Sequence, residues 1–256
     1  MTAPTGSTAP RILALVRHAE STWIAEGRFQ GRGDPPLSEF GALQAMALGA
    51  RLAAPATAPE VPVPDAVPQV IWHSPLRRAA QTAAAIHEAR EADAPLRQLD
   101  ELTELSQGEW EGLTHAQVEA DYPDQLAAWR ADPFTHHPPG GESLSEALER
   151  ARRATDVILK REGPVDAAEL AAGVTPAEPV LTYERTIASR RRPWSVVVAH
   201  DGILRLLMLG LMGIPIDRFW AFPFALAAVT VLDLSTGVRL RAHNLDAHIA
   251  ALTRQR

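Results

Sequence analysis

The chain of 256 residues predicts an α/β fold, a three-layer sandwich with a mostly parallel central sheet and helices on both faces. Three observations lead there. Short apolar runs at residues 12–16, 70–73 and 195–199 have the length and β-branched content of buried strands. Each is followed by a helix-like pattern, the order that builds strand–helix–strand units. Each run also leads into the same kinds of residue: Arg17-His18, then Arg77-Arg78, then His200. Ligands gather just beyond the carboxyl ends of the strands in an open α/β sheet, so these side chains are expected to meet at one edge.

The elements follow in order. Residues 12–16 form the first strand. Ser38 is the N-cap of a helix with Leu43, Met46, Ala47 and Ala50 on one face. Residues 53–68 are proline-rich and small, a surface loop. After the second strand, Ser74 as N-cap and Pro75 as first helical residue start a helix through Ala79, Ala83 and Ile86 to about residue 92. Residues 96–112 are irregular and Gly-punctuated, with short helices following at 116–120 and 124–131. Residues 132–142, rich in Pro, His and Gly, read as an ordered loop or lid. Residues 143–161 form a long amphipathic helix. The strand at 195–199 leads through His200 to a helix over about 203–212, and strands at 227–232 and 238–242 flank the turn Ser235-Thr236-Gly237. No internal repeat is present. The domain reading is a flexible N-terminal tail over 1–10 and a single domain over 11–256, with an insertion at about 163–193 that has no clean periodicity.

Composition removes several functions. Twenty-five basic against 31 acidic side chains leave a net charge of −6, which argues against a general nucleic-acid binder and leaves Arg190-Arg191-Arg192 as a solvated loop. Without cysteine there is no disulfide, thiolate metal site or cysteine nucleophile, a usage that suits a reducing cytoplasm. The first ten residues lack the apolar core of a secretory signal. Of two long apolar runs, 203–216 carries Arg205 and 219–232 is short and holds Pro223, so neither is read as a membrane span. His136-His137 lacks a third ligand at metal-binding spacing, and no metal or cofactor is expected.

What remains is an anion site. Two histidines and at least two arginines around one point suit a phosphoryl group, because guanidinium forks match phosphate oxygens and a helix N-terminus adds backbone donors. The motifs here are LVRHAEST (15–22), RFQG (28–31), DPPLSEFGALQA (34–45), HSPLRRAAQTA (73–83), ELSQGEWEG (104–112), PGGES (139–143) and VVVAHDGILR (196–205). With them the chain resembles the histidine phosphatase superfamily, the phosphoglycerate mutase-like branch 1, across nearly its whole length.

The resemblance implies a phosphoglycerate mutase-like fold and a metal-independent phosphomonoesterase acting on a small phosphorylated metabolite. It implies His18 as the nucleophile that becomes phosphohistidine, Glu104 as general acid and base, and Arg17, Arg78 and His200 as phosphate ligands. Arg28, Asp201 and Trp23 are carried as further substrate-binding residues, with Trp110 and the His136-His137 loop as candidate substrate walls. The tryptophans favour a substrate with some hydrophobic body. Three positions depart from the family's pattern: Ala19 replaces a glycine, Ile24 stands where many members carry a phosphate-binding asparagine, and Asp201 replaces a glycine after His200. Asp201 is expected to point away while its backbone serves. Two other functions are carried beside the phosphatase: a cofactor-dependent phosphoglycerate mutase, disfavoured because Leu105 and Gln107 replace the arginine and tyrosine of mutases, and a non-catalytic phospho-ligand binder. A homodimer is left open.

Overall fold

The computed structural model describes residues 9–90, 94–160 and 192–254. All but two residues each of the expected insertion (163–193) and of the expected tail (1–10) lie outside these. In chain order the elements are β1 (Ile12–Arg17), α1 (Thr22–Ala25), α2 (Glu39–Ala53), β2 (Ile71–His73), α3 (Arg77–Ala89) and β3 (Leu96–Gln98). They continue with α4 (His115–Asp121), α5 (Pro123–Ala131), α6 (Leu144–Leu159), β4 (Trp194–Ala199), α7 (Asp201–Met212), β5 (Val229–Asp233), β6 (Arg239–Leu245) and α8 (Ala250–Thr253). The sheet order is β3-β2-β4-β1-β5-β6. β3, β2, β4 and β1 run parallel, and β5 and β6 add an antiparallel edge. Helices cover both faces, as expected from the sequence.

β1 shows why the layers form. Successive side chains of a strand point to opposite faces. Leu13 and Leu15 join a core with α6 and α7, while Ile12, Ala14 and Val16 join a second core with α2 and α3. Both faces of this strand are therefore apolar, which explains a continuous apolar run in place of alternation. Residues before α4 and within α4 and α5 make a smaller core of Trp110, Val118 and Leu126, backed by Phe29 and Trp129.

Three local expectations are corrected. α3 begins at Arg77 with Leu76 as cap, not at Ser74-Pro75. The Ser74 N–H continues the β2–β4 pairing by donating to the Val198 carbonyl at 3.0 Å, so Ser74 prolongs the strand and the chain bends at Pro75 and Leu76 before the helix. The buried face of α2 is Gly41, Ala45, Leu48, Gly49 and Leu52, whereas Leu43 and Met46 are 50% and 64% exposed. Close packing chose the glycine face, because Gly41 lies against the Glu20 carbonyl and Gly49 against that of Ala85. β3 escaped notice because its three residues are all exposed, leaving no alternation to read. α7 starts at Asp201, two residues before its expected start.

A Cβ at Gly41 would stand 1.9 Å from the Glu20 carbonyl oxygen, a backbone atom close to His18 that cannot swing away. Gly41→Ala is therefore expected to destabilise the protein by roughly 1–3 kcal/mol. Thermal unfolding checks this, with a melting point lower by about 2–4 °C per kcal/mol for a chain of this size.

Candidate active site

The pairing register assembles the site. β1 and β4 are adjacent with Arg17 opposite Ala199, and the His18 N–H donates to the Ala199 carbonyl at 2.9 Å. The next residue of each strand is thus a histidine, and the two rings lie 5.0 Å apart, centroid to centroid. β2, on the other side of β4, ends at Ser74, whose Oγ is 2.8 Å from His200 Nε2.

His18 is buried with both ring nitrogens engaged. Nδ1 is 2.7 Å from the Ala19 carbonyl and so carries the proton, since a carbonyl only accepts. Nε2 accepts the Arg78 Nε–H at 3.3 Å, so it is the unprotonated nitrogen and carries the ring's lone pair. Burial, then the charges of Arg78 and Arg17, hold the imidazole well below its ordinary pKa of 6.5. The ring is neutral, with Nε2 available as a nucleophile. Ala19 is accommodated without strain: it is fully buried and its φ lies outside the left-handed region.

Arg78 is fully buried. Its Nη atoms donate to the carbonyls of Gly33 at 2.7 Å and Gly31 at 2.8 Å. Burial lowers its pKa from 12.5 to about 10. The loop carrying those carbonyls is fastened by Glu111, whose carboxylate accepts from the N–H groups of Arg32, Gly33 and Gln107. Glu111 is a positioning residue that the sequence motifs did not single out. Arg17 donates through Nη1 to the Phe224 carbonyl at 2.6 Å, while its Nε is buried without a partner. His200 Nδ1 is likewise buried and unpartnered. Ser74 Oγ accepts the Leu76 N–H, and among the described residues the acceptor that its own hydroxyl proton meets is His200 Nε2, which puts the ring proton on Nδ1.

Glu104 sits at the start of α7. Its oxygens accept the N–H groups of Leu105 at 2.9 Å, Gly202 at 3.1 Å and Ile203 at 3.2 Å. Burial raises its pKa above the ordinary 4.5 and Asp201 adds to the rise, against the pull of the Leu105 and Gly202 N–H groups and of Arg78. A Cβ on Gly202 would come within 2.7 Å of Glu104 Oε1, so this close seat requires glycine. The helical turn leading to Glu104 is held by Arg150, which donates to the carbonyls of Glu101 and Thr103 and pairs with Glu142.

These groups open onto a cavity of about 360 Å³. Arg17, His18, Arg78, Glu104, Arg28 and Asp201 line it; His200 is not in the wall, and its ring lies 5.0 Å from that of His18. The Asp201 carboxylate is bound by both Nε and Nη2 of Arg205, at 3.1 and 3.0 Å, and lies 4.0 Å from Arg17. It does not point away as expected; Arg205 neutralises it in place. Arg77 is exposed, its N–H bonded to Asp34.

Trp23 and Trp110 are absent from the cavity wall. Trp23 lies over Gly33 and Gly112, where the missing side chains leave room for its ring, and Trp110 is fully buried among Phe29, Tyr122 and Trp129. The aromatic wall comes instead from Phe29, Trp129, Phe219 and Trp220. No spacing in the sequence links these, since α5 and the turn after α7 meet only through the fold. Of the histidine pair, His137 lines the cavity, while His136 bonds to the Asp132 carbonyl. His115, also in the wall, was not anticipated.

The family profile of the histidine phosphatase superfamily, branch 1, matches residues 13–171 and 178–246. The chain belongs to that superfamily. This histidine phosphatase is 29% identical over 222 residues to phosphoserine phosphatase 1 of Hydrogenobacter thermophilus, covering 87% of this chain and 86% of the relative. It is 32% identical over 209 residues to the glucosyl-3-phosphoglycerate phosphatase of Mycobacterium tuberculosis, covering 82% of this chain and 78% of the relative. A solved mycobacterial glucosyl-3-phosphoglycerate phosphatase in complex with VO3 superposes with a TM-score of 0.67 at 30% identity, covering 92% of this chain and 99% of the other. The chain is thus a phosphoric monoester hydrolase of the histidine phosphatase family. Among the described residues no helix is long and apolar enough to cross a membrane.

The two neutral imidazoles give stability a pH dependence with a definite sign. Below about pH 6.5 the unfolded chain protonates both rings, which the folded histidine phosphatase, with both held well below 6.5, does not. Their contribution to stability is complete above about pH 6.5 and is lost as pH falls below it. Urea unfolding should give a smaller free energy at about pH 5.5 than at about 7.5, and His200→Gln should shrink that difference. An equal difference in variant and wild type would contradict this account.

Proposed function

We propose that this phosphatase hydrolyses a small phosphorylated metabolite without a metal, through a phosphohistidine on His18 Nε2. The observation that carries the reading is the pair of buried donors without partners, Arg17 Nε and His200 Nδ1, around a neutral His18. Buried polar atoms are almost always hydrogen-bonded. A phosphoryl group bound in front of His18 would satisfy both.

The lone pair on Nε2 attacks phosphorus, the N–P bond forms, and the P–O ester bond breaks as Glu104 protonates the leaving alkoxide. The phosphorylated ring is cationic, and its Nδ1–H keeps donating to the Ala19 carbonyl, which stabilises that charge. Water then attacks phosphorus, Glu104 takes its proton, and the N–P bond breaks to restore neutral His18. Phosphoryl transfer is catalysed mainly by positioning and charge stabilisation, and Arg17, Arg78 and His200 supply both here. With Arg205 on its carboxylate, Asp201 does not turn the site against anions. That weakens the case for a non-catalytic binder.

Hydrolysis of p-nitrophenyl phosphate in EDTA should proceed at full rate, be abolished by His18→Ala, and yield an acid-labile phosphoenzyme on rapid quench. A requirement for added divalent metal, or activity surviving in the variant, would overturn the mechanism. Attack needs His18 neutral and Glu104 protonated. The lowered His18 pKa meets the first condition to well below pH 6.5, and the raised Glu104 pKa extends the second above 4.5. The rate should therefore be bell-shaped in pH, with its acid limb from His18 and its alkaline limb from Glu104. Glu104→Gln should flatten the alkaline limb and slow alkyl phosphates by about 10²–10⁴-fold.

A further inference from the structure

We propose that the alcohol released at this site carries a flat apolar ring, in preference to a small carboxylate-bearing body. This rests on the phosphatase reading above and adds a substrate class to it. A connected row of aromatic rings reaches the cavity wall at Trp129, Trp220 and Phe219. Trp110, fully buried, meets Trp129 edge-on at 5.7 Å; Trp129 meets Trp220 at 5.4 Å and 90°; Trp220 meets Phe219 at 4.8 Å. The Arg205 guanidinium closes the row, 5.2 Å from the Trp220 ring and 5.5 Å from that of Phe219. Arg205 is itself fixed by Asp201 and by the Phe219 carbonyl.

Trp220 is 44% exposed although it is supported by Trp129, Phe219 and Arg205. A large ring, pre-ordered at a cavity mouth and left partly wet, gains by covering its surface with a flat apolar group. Because the row is already held in place, little ordering is needed on binding. Ile24 extends the same apolar character toward the phosphate end.

Charge points the same way. The acidic side chains lining the cavity are Glu104, Glu142 and Asp201. Among the described lining residues, the arginine beyond Arg17 and Arg78 is Arg28. Its Nε is 2.6 Å from Glu26 and its Nη1 donates to the Gly112 carbonyl at 2.7 Å. Glu142 is already paired with Arg150 and Arg32, so a substrate carboxylate would have to compete with Glu26 for the Arg28 guanidinium. An apolar ring meets no such opposition. The volume, about 360 Å³, lies near the low end for small-molecule sites, room for a phosphoryl group and a compact ring body.

The test compares 2-phenylethyl phosphate, glycerol 3-phosphate and O-phosphoserine, all primary alkyl phosphates, so leaving-group acidity does not decide the outcome. The expected kcat/KM for 2-phenylethyl phosphate exceeds the other two by about 10-fold or more, carried by KM. Trp220→Ala should collapse the ratio of 2-phenylethyl to glycerol phosphate toward one, and Trp220→Phe should restore most of it. Equal or better turnover of O-phosphoserine, or a ratio untouched by Trp220→Ala, overturns the proposal. Failure to hydrolyse any of these esters or p-nitrophenyl phosphate overturns the phosphatase mechanism. In that event calorimetric binding of benzylphosphonate against methylphosphonate still decides the ring preference: tighter binding of the benzyl compound supports it and equal binding sinks it.

Discussion

A buried guanidinium with no carboxylate beside it is the constraint on which the rest of this structure depends. Arg78 is fully enclosed, and among the described residues no ion pair reaches it. Burying a charge is costly unless hydrogen bonds replace the lost water. Here the Gly31 and Gly33 carbonyls do so, and the loop that presents them is fastened by Glu111. Carbonyl dipoles solvate the cation without cancelling its charge. Burial first, and then the remaining field, keep His18 unprotonated.

The same economy governs the neighbouring charges. Glu104 accepts backbone N–H groups at the start of α7, so a buried carboxyl is held in one orientation while burial keeps its proton affinity high. Asp201 would weaken anion binding if left alone one residue after His200. Arg205 binds it and also stacks beside Phe219 and Trp220. One side chain therefore joins the electrostatics of the phosphate end to the shape of the cavity mouth. An argument confined to the phosphate ligands would miss that connection.

The backbone does the positioning. Three parallel strands end side by side, and their hydrogen-bond register puts Ser74, His200 and His18 at successive places along one edge. Rings on strands buried on both faces have little freedom to drift. The aromatic side chains of the cavity wall come from a different kind of element: short helices and turns, those around α4 and α5 packed on Trp110 in a core of their own. The sheet edge thus carries the two histidines and the short elements carry the aromatic wall.

The sequence by itself determined the α/β class, the buried strands and the convergence of Arg17, His18, Arg78 and His200, while Glu104 came from the family resemblance. These rest on local patterns, since a buried strand must be apolar and a βα unit sends its strand end to the ligand edge. It also identified Ala19, Ile24 and Asp201 as departures. Only the tertiary structure decided which face of α2 is buried, because alanines on every side left no amphipathic phase and close glycine contacts chose it. Only the structure showed that Ser74 serves His200 in place of a helix cap, since that bond joins residues 126 positions apart. The tryptophans make the same point. Trp23 and Trp110 lie near the catalytic motifs in sequence but cover glycines or fill a core, while Trp129 and Trp220 form the wall. Proximity along the chain carries no information about which face of a ring meets solvent; that is settled when distant elements pack together.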